Sequence, residues 1–165
     1  MANREERMVI LQPMLEHDFQ TYYEDAIARY AAEHVRSGNW SPEESLERSR
    51  QEYEKLLPQG TATPNQYLYS VIDPATNTNV GMIWYAIREK NAQRIAFIYE
   101  ISIKPEYQRR GYSQQTMQTL ETLVRNHGVT TIQLHVFGHN HAARALYEKL
   151  GYQPTNIAMS KTLDP

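Results

Sequence analysis

Two arginines, a glycine and a small hydroxyl residue follow one another in Gln108-Arg109-Arg110-Gly111-Tyr112-Ser113, between an apolar stretch carrying Ile101 and Ile103 and a helical pattern opened by Gln114. Residues of these types hold anions. Glycine reaches backbone angles that side-chain-bearing residues avoid, so successive N–H groups can turn inward around a phosphate. The start of the helix adds its positive end. No acidic residue follows before Glu121, as a site for a polyanion requires. The ligand expected here carries a pyrophosphate. Arg-Arg-Gly-Tyr also occurs in plain surface loops, so the turn alone is a weak signal.

A second stretch adds to the first. Asn140-His-Ala-Ala143-Arg-Ala-Leu146-Tyr147-Glu-Lys-Leu-Gly151-Tyr152 reads as a short helix stopped by glycine. Taken together, Gln-x-x-Gly-x-Ser and Asn-x-x-Ala-x-x-Leu-Tyr-Glu-Lys-x-Gly-Tyr resemble the paired motifs of the GCN5-related N-acetyltransferase (GNAT) family, whose members use acetyl coenzyme A. The resemblance covers Glu100 to Tyr152 strongly and the rest of the chain loosely. One position departs from the family pattern. Ser113 stands where Gly or Ala is usual, at the point where the helix backbone comes close to the pyrophosphate, and its hydroxyl is an added donor.

The resemblance implies roles for particular residues. The backbone of Ile101 and Ile103 would pair with the pantetheine arm as if it were an added strand. The N–H groups of Arg110, Gly111, Tyr112, Ser113 and Gln114, with Arg109 beside them, would hold the pyrophosphate. Asn140 would position the pantetheine, and Tyr147 would protonate the departing thiolate. A helical tyrosine next to leucine usually packs, and it is the motif that favours the acid role. For the base, both Glu100 and His135 face the implied cleft by analogy. Histidine titrates near neutrality without help, whereas a carboxylate needs tuning or a water relay. Glu100 is slightly preferred, because it directly precedes the strand segment expected to hold the thioester. Each also has a structural reading: an ion pair with a sheet neighbour for Glu100, a hydrogen-bonded core histidine for His135.

No metal is expected. His135, His139 and His141 fall on alternate strand positions and a helix start, which need not converge, and no carboxylate joins them. The resemblance implies that Tyr22, Tyr23, Tyr30, Trp40 and residues near Tyr67 and Tyr85 wall an acceptor pocket, where aromatic faces can hold an ammonium; the commoner reading of such rings is core packing.

Composition sets the outer limits. At 165 residues the chain has the size of one domain and can bury a real core. A net charge of -2 gives no bulk reason to bind nucleic acid or an anionic membrane. There is no cysteine, which removes disulfides and any acyl-cysteine intermediate, so acetyl transfer would be direct. The charged start Met-Ala-Asn-Arg-Glu-Glu-Arg lacks the apolar core of a signal peptide, and the protein is expected to be cytoplasmic. Partners are expected among amine-bearing small molecules and proteins, and the reading leaves room for a homodimer.

The elements that must position these residues are legible as patterns. Met8 to Leu11 reads as a strand, Glu16 to Arg36 as an amphipathic helix with a tyrosine-rich face, and Ser41-Pro42-Glu43-Glu44 as the start of a helix reaching about Leu57. Gln66 to Ile72, Val80 to Arg88 and Ala96 to Ile103 read as an antiparallel meander. A helix from Gly111, a strand over Thr130 to Phe137, the Asn140 helix and a last strand near Asn156 to Thr162 complete the order. That order gives a mixed-sheet α/β (α+β) domain, and the resemblance implies a mostly antiparallel sheet whose fourth and fifth strands splay apart around the coenzyme. Two other functions compete with the enzyme: a non-catalytic acyl-CoA sensor or scaffold, and a nucleic-acid contact at the basic turn, which the net charge disfavours.

Overall fold

The computed structural model describes residues 8–164. The chain divides into two compact units, Met1–His135 and Val136–Pro165. In the first unit β1 (Ile10–Pro13), α1 (Glu16–Arg36), α2 (Pro42–Leu56), β2 (Gln66–Asp73), β3 (Thr78–Lys90), β4 (Gln93–Ile103), α3 (Tyr112–Asn126) and β5 (Thr131–Leu134) follow in order. The five strands form one sheet in sequence order, antiparallel except for the parallel pair β4 and β5. This is the mixed sheet that the order of elements predicts, mostly antiparallel as the resemblance implies.

The apolar stripe of α1 is buried at Phe19, Tyr22, Ala26, Ile27 and Ala31. Part of it packs with Tyr53 and Leu57 against Leu68, Met82 and Trp84 of the sheet. α2 begins at the Ser-Pro-Glu-Glu signal, with Pro42 in the first turn and Glu43 and Glu44 behind it. Its buried Ser49 donates to the Ile27 carbonyl at 2.8 Å, so the hydroxyl that replaces an apolar contact is satisfied and ties the two helices together. β1 is an edge strand, where Pro13 removes no ladder bond that another strand needs.

The meander runs longer than its apolar alternation. β3 and β4 pair as far as Lys90 and Gln93, and Asn91 and Ala92 close the hairpin at φ 52° and 61°. Two left-handed residues match the twist of the flanking strands, so this polar tip pairs despite carrying no hydrophobic signal. At the other end a Cβ on Gly81 would lie 2.2 Å from the Ser102 carbonyl oxygen, an approach that only glycine permits.

One irregularity interrupts the ladder between β3 and β4. Trp84 pairs with Glu100 and Tyr85 with Ile98, which leaves Tyr99 as the extra residue of a bulge in β4. Tyr99 stacks on Trp84 with ring centroids 4.3 Å apart, and Glu100 reaches Tyr22, so both side chains turn toward α1 and α2.

In the second unit α4 (His141–Lys149) follows the cap residue Asn140 and is closed just beyond its end by Gly151, where φ is +91°. The strand expected near Asn156 to Thr162 is not formed. Its alternating Ile157 and Met159 are 75% and 91% exposed, and alternation without a partner ladder does not make a strand. β5 is also shorter than the expected Thr130 to Phe137.

Candidate functional site

The turn between β4 and α3 is a cradle of amides. A 3₁₀ turn over Pro105–Tyr107 uses the N–H groups of Tyr107 and Gln108. Beyond it the chain enters left-handed backbone at Arg109, φ +63°, and at Gly111, φ +84°. For an arginine this conformation costs roughly 1–2 kcal/mol, and such strain gathers at functional positions. The first helical bond runs from the Gln115 N–H to the Gly111 carbonyl at 3.0 Å. The N–H groups of Tyr112 and Ser113 therefore precede the ladder, and no side chain caps this helix end. A Cβ on Gly111 would meet nothing within 4 Å, so the cradle is open where a phosphate would enter.

Side chains brace the cradle from behind. Gln108 Nε2 donates to the Ile103 carbonyl at 2.9 Å, tying the turn to the end of β4. The Tyr112 hydroxyl donates to Asp73 Oδ2 at 2.9 Å, and this hydrogen bond raises the phenol's pKa and keeps it a donor. The Arg110 guanidinium lies 5.7 Å from the centre of the Tyr107 ring. Gln115 Oε1 accepts from the Val9 N–H at 3.2 Å. The first turn of α3 contains no acidic residue.

The strand leading into the cradle has an open edge. β5 pairs with β4 only over Ile95 to Ile98, ending at the Ile98 and Leu134 pair. Past the bulge, among the described residues, Glu100 to Ile103 are paired on the β3 side alone. On the other side Ile101 and Ile103 have no strand partner among the described residues, and the Ile103 carbonyl accepts from Gln108 Nε2.

Glu100 stands at the start of that open edge with both oxygens engaged. Oε2 accepts from the Tyr22 hydroxyl at 2.6 Å and Oε1 from Arg29 Nη2 at 2.7 Å. The ion pair is with a helix residue and not with a sheet neighbour. Burial, followed by the charge of Glu100, holds the Tyr22 phenol well above its ordinary pKa, and the same two causes raise Tyr53. Both phenols remain protonated donors.

His135 follows β5 directly and is exposed, so it is not a core histidine. It lies near enough to His34 to disfavour charge there, although burial is the larger reason that the His34 pKa is lowered. His34 stacks on Trp40 at 3.9 Å, and Tyr30 meets both rings edge-on. Tyr22, Tyr23, Tyr30 and Trp40 therefore share the α1 and α2 side of the sheet with Trp84 and Tyr99. Tyr67 and Tyr85 stack on each other at 5.1 Å from positions whose alternation turns them away from Trp84, and they do not join that group.

The second unit holds Asn140 and Tyr147 on one short helix. Asn140 Oδ1 accepts from the Ala143 N–H at 3.2 Å as the helix cap, which leaves its two amide hydrogens to be donated elsewhere. Tyr147 lies two helical turns further on, partly buried, with Tyr152 at a centroid distance of 5.8 Å. Burial raises its pKa, so the phenol carries its proton at neutral pH. Among the described residues no three His, Cys, Asp or Glu side chains group as metal ligands would, and no helix is long and apolar enough to cross a membrane.

Arg29 and Asp73 are the functional neighbours that sequence reasoning passed over. Arg29 had a weak signal: it falls one turn after Ala26, beside the buried stripe of α1, but it is itself exposed. Asp73 had none, since an aspartate at the start of a turn is ordinary.

Known proteins share this architecture. A model of the acetyltransferase (GNAT) family matches residues 15–152. The chain is 36% identical over 155 residues to the uncharacterised N-acetyltransferase YycN of Bacillus subtilis, covering 94% of this chain and 99% of that one. The crystal structure of YycN superposes with a TM-score of 0.89 over 95% of this chain and 99% of its own. YdgE of the same organism, also an uncharacterised N-acetyltransferase, is 33% identical over 153 residues, 93% of this chain and 97% of that one. A shorter match, 37% over 62 residues, links 38% of this chain to 42% of the [ribosomal protein bS18]-alanine N-acetyltransferase of Salmonella typhimurium.

Proposed function

Because the chain belongs to the GNAT family of acetyltransferases, we propose that it moves an acetyl group directly from acetyl-CoA to a primary amine of a small molecule or of a protein or peptide. One observation carries the reading: an uncapped helix start, entered through left-handed Arg109 and Gly111, at the end of a strand whose outer edge is unpaired. The edge offers backbone donors and acceptors to the pantetheine arm. The cradle offers amides and two guanidinium groups to the pyrophosphate.

Acetyl-CoA supplies a thioester whose carbonyl carbon is open to attack. Glu100 takes the proton that the attacking amine must lose, directly or through one water. Each of its oxygens keeps a lone pair beyond the bonds from Tyr22 and Arg29. Tyr147 gives its phenolic proton to the sulfur as the C–S bond breaks and the C–N bond forms. His135, exposed just past β5, is the second candidate for the base.

The family model runs across the boundary between the two units, which supports one acetyltransferase domain. A sensor or scaffold could lose Tyr147 and the bases while keeping the Gly turn, and the presence of all three favours the enzyme. The test is a panel of alkylamines, polyamines, free lysine and peptides with a free N-terminal alanine, each incubated with acetyl-CoA while free thiol is followed. Thiol release that requires one amine class is the expected result. Coenzyme binding with no release from any member would leave the sensor reading in its place.

A further inference from the structure

The two partners of Glu100 differ in kind. Tyr22 is 9% exposed and donates from a rigid ring. The Arg29 side chain is 50% exposed, and its contact is a single one, from Nη2 to Oε1, in place of the two parallel bonds of the strongest guanidinium pairs. Glu100 keeps 20% of its side chain exposed. An ion pair this open and end-on gives little net stabilisation and exchanges readily.

Resting on the reading of Glu100 as the acceptor-side group, we propose that Arg29 is an internal stand-in for the acceptor's ammonium. Its guanidinium holds Oε1 until a protonated primary amine arrives, then swings into solvent as the amine takes its place. Tyr22 keeps the carboxylate fixed throughout. The consequence is competition, because the apparent affinity for the amine is reduced to the extent that Arg29 occupies the carboxylate. Arg29 thereby sets the threshold for acceptors and acts as a specificity-determining residue.

The test uses n-propylammonium chloride as the probe, titrated into the full chain and followed through the ring NMR signals of Tyr22. Arg29→Gln is expected to tighten binding by about threefold or more, because the competitor is gone while the carboxylate remains. Arg29→Lys keeps the cation and should stay within about twofold of the wild type. Glu100→Gln should abolish the saturable shift in both backgrounds. Arg29→Ala gives the same readout if the glutamine disturbs α1. Equal or weaker binding in a folded Arg29→Gln or Arg29→Ala variant would overturn the inference. Acetyl transfer with an amine affinity indifferent to Arg29 removes this inference alone. Competition at Glu100 without any acetyl transfer removes the proposed reaction alone.

Discussion

Tyr147→Phe is expected to lower turnover by ~10²- to 10⁴-fold, the usual worth of general acid catalysis, while coenzyme affinity stays within about twofold. The substitution keeps the ring, and with it the contact to Tyr152, and removes only the hydroxyl. Burial already holds this phenol above its ordinary pKa, so its proton is present at neutral pH and is there to be given to the leaving sulfur. A packing tyrosine behaves differently: losing its hydroxyl changes stability slightly and turnover hardly at all. Single-turnover kinetics isolate the chemical step. If that step stays within about twofold of the wild type, Tyr147 packs and does not act as the acid.

The second large effect concerns the base. A base works in its unprotonated form, so kcat/KM should rise with pH through one ionisation of the free enzyme, and removing the base should abolish that limb. Profiles for Glu100→Gln and His135→Gln, recorded with an amine whose own ionisation lies well above the range, separate the candidates. Glu100→Gln is expected to lose the limb together with ~10²-fold or more in rate. His135→Gln should retain it, since that side chain is exposed to solvent just past the end of β5. Loss of the limb in His135→Gln alone would transfer the role. Survival in both variants and in the double variant would mean that the amine arrives already deprotonated by water.

The turn and the two motifs were legible because their chemistry is local. Gly111 sits at a positive φ, Pro42 opens α2 and Asn140 caps α4, each within the few residues that encode it. The Glu100 constellation was not legible, because Tyr22 and Arg29 lie 78 and 71 residues away and meet the carboxylate only when α1 lies across the sheet. The bulge at Tyr99 was equally hidden. No residue type marks it, and it arises from a register shift between β3 and β4 that only the paired strands define. The expected final strand near Asn156 to Thr162 shows the opposite failure, an alternation of apolar residues with no ladder to join. Residue type alone does not distinguish Tyr67 and Tyr85 from the aromatics of α1, and strand alternation separates them.

Whether the amides from Arg110 to Gln114, with Arg109 beside them, hold the coenzyme's pyrophosphate is tested most directly by calorimetric titration of coenzyme A into the wild type and two Gly111 variants. Asp and Asn tolerate left-handed backbone better than most residues and are nearly isosteric, so the pair separates charge from strain at φ +84°. A side chain here extends into open space, where the proposed site would hold the phosphates. Gly111→Asp should weaken binding by roughly tenfold to a hundredfold, about 1.4–2.8 kcal/mol, and Gly111→Asn by clearly less. Wild-type affinity for coenzyme A in a folded Gly111→Asp protein would contradict the account.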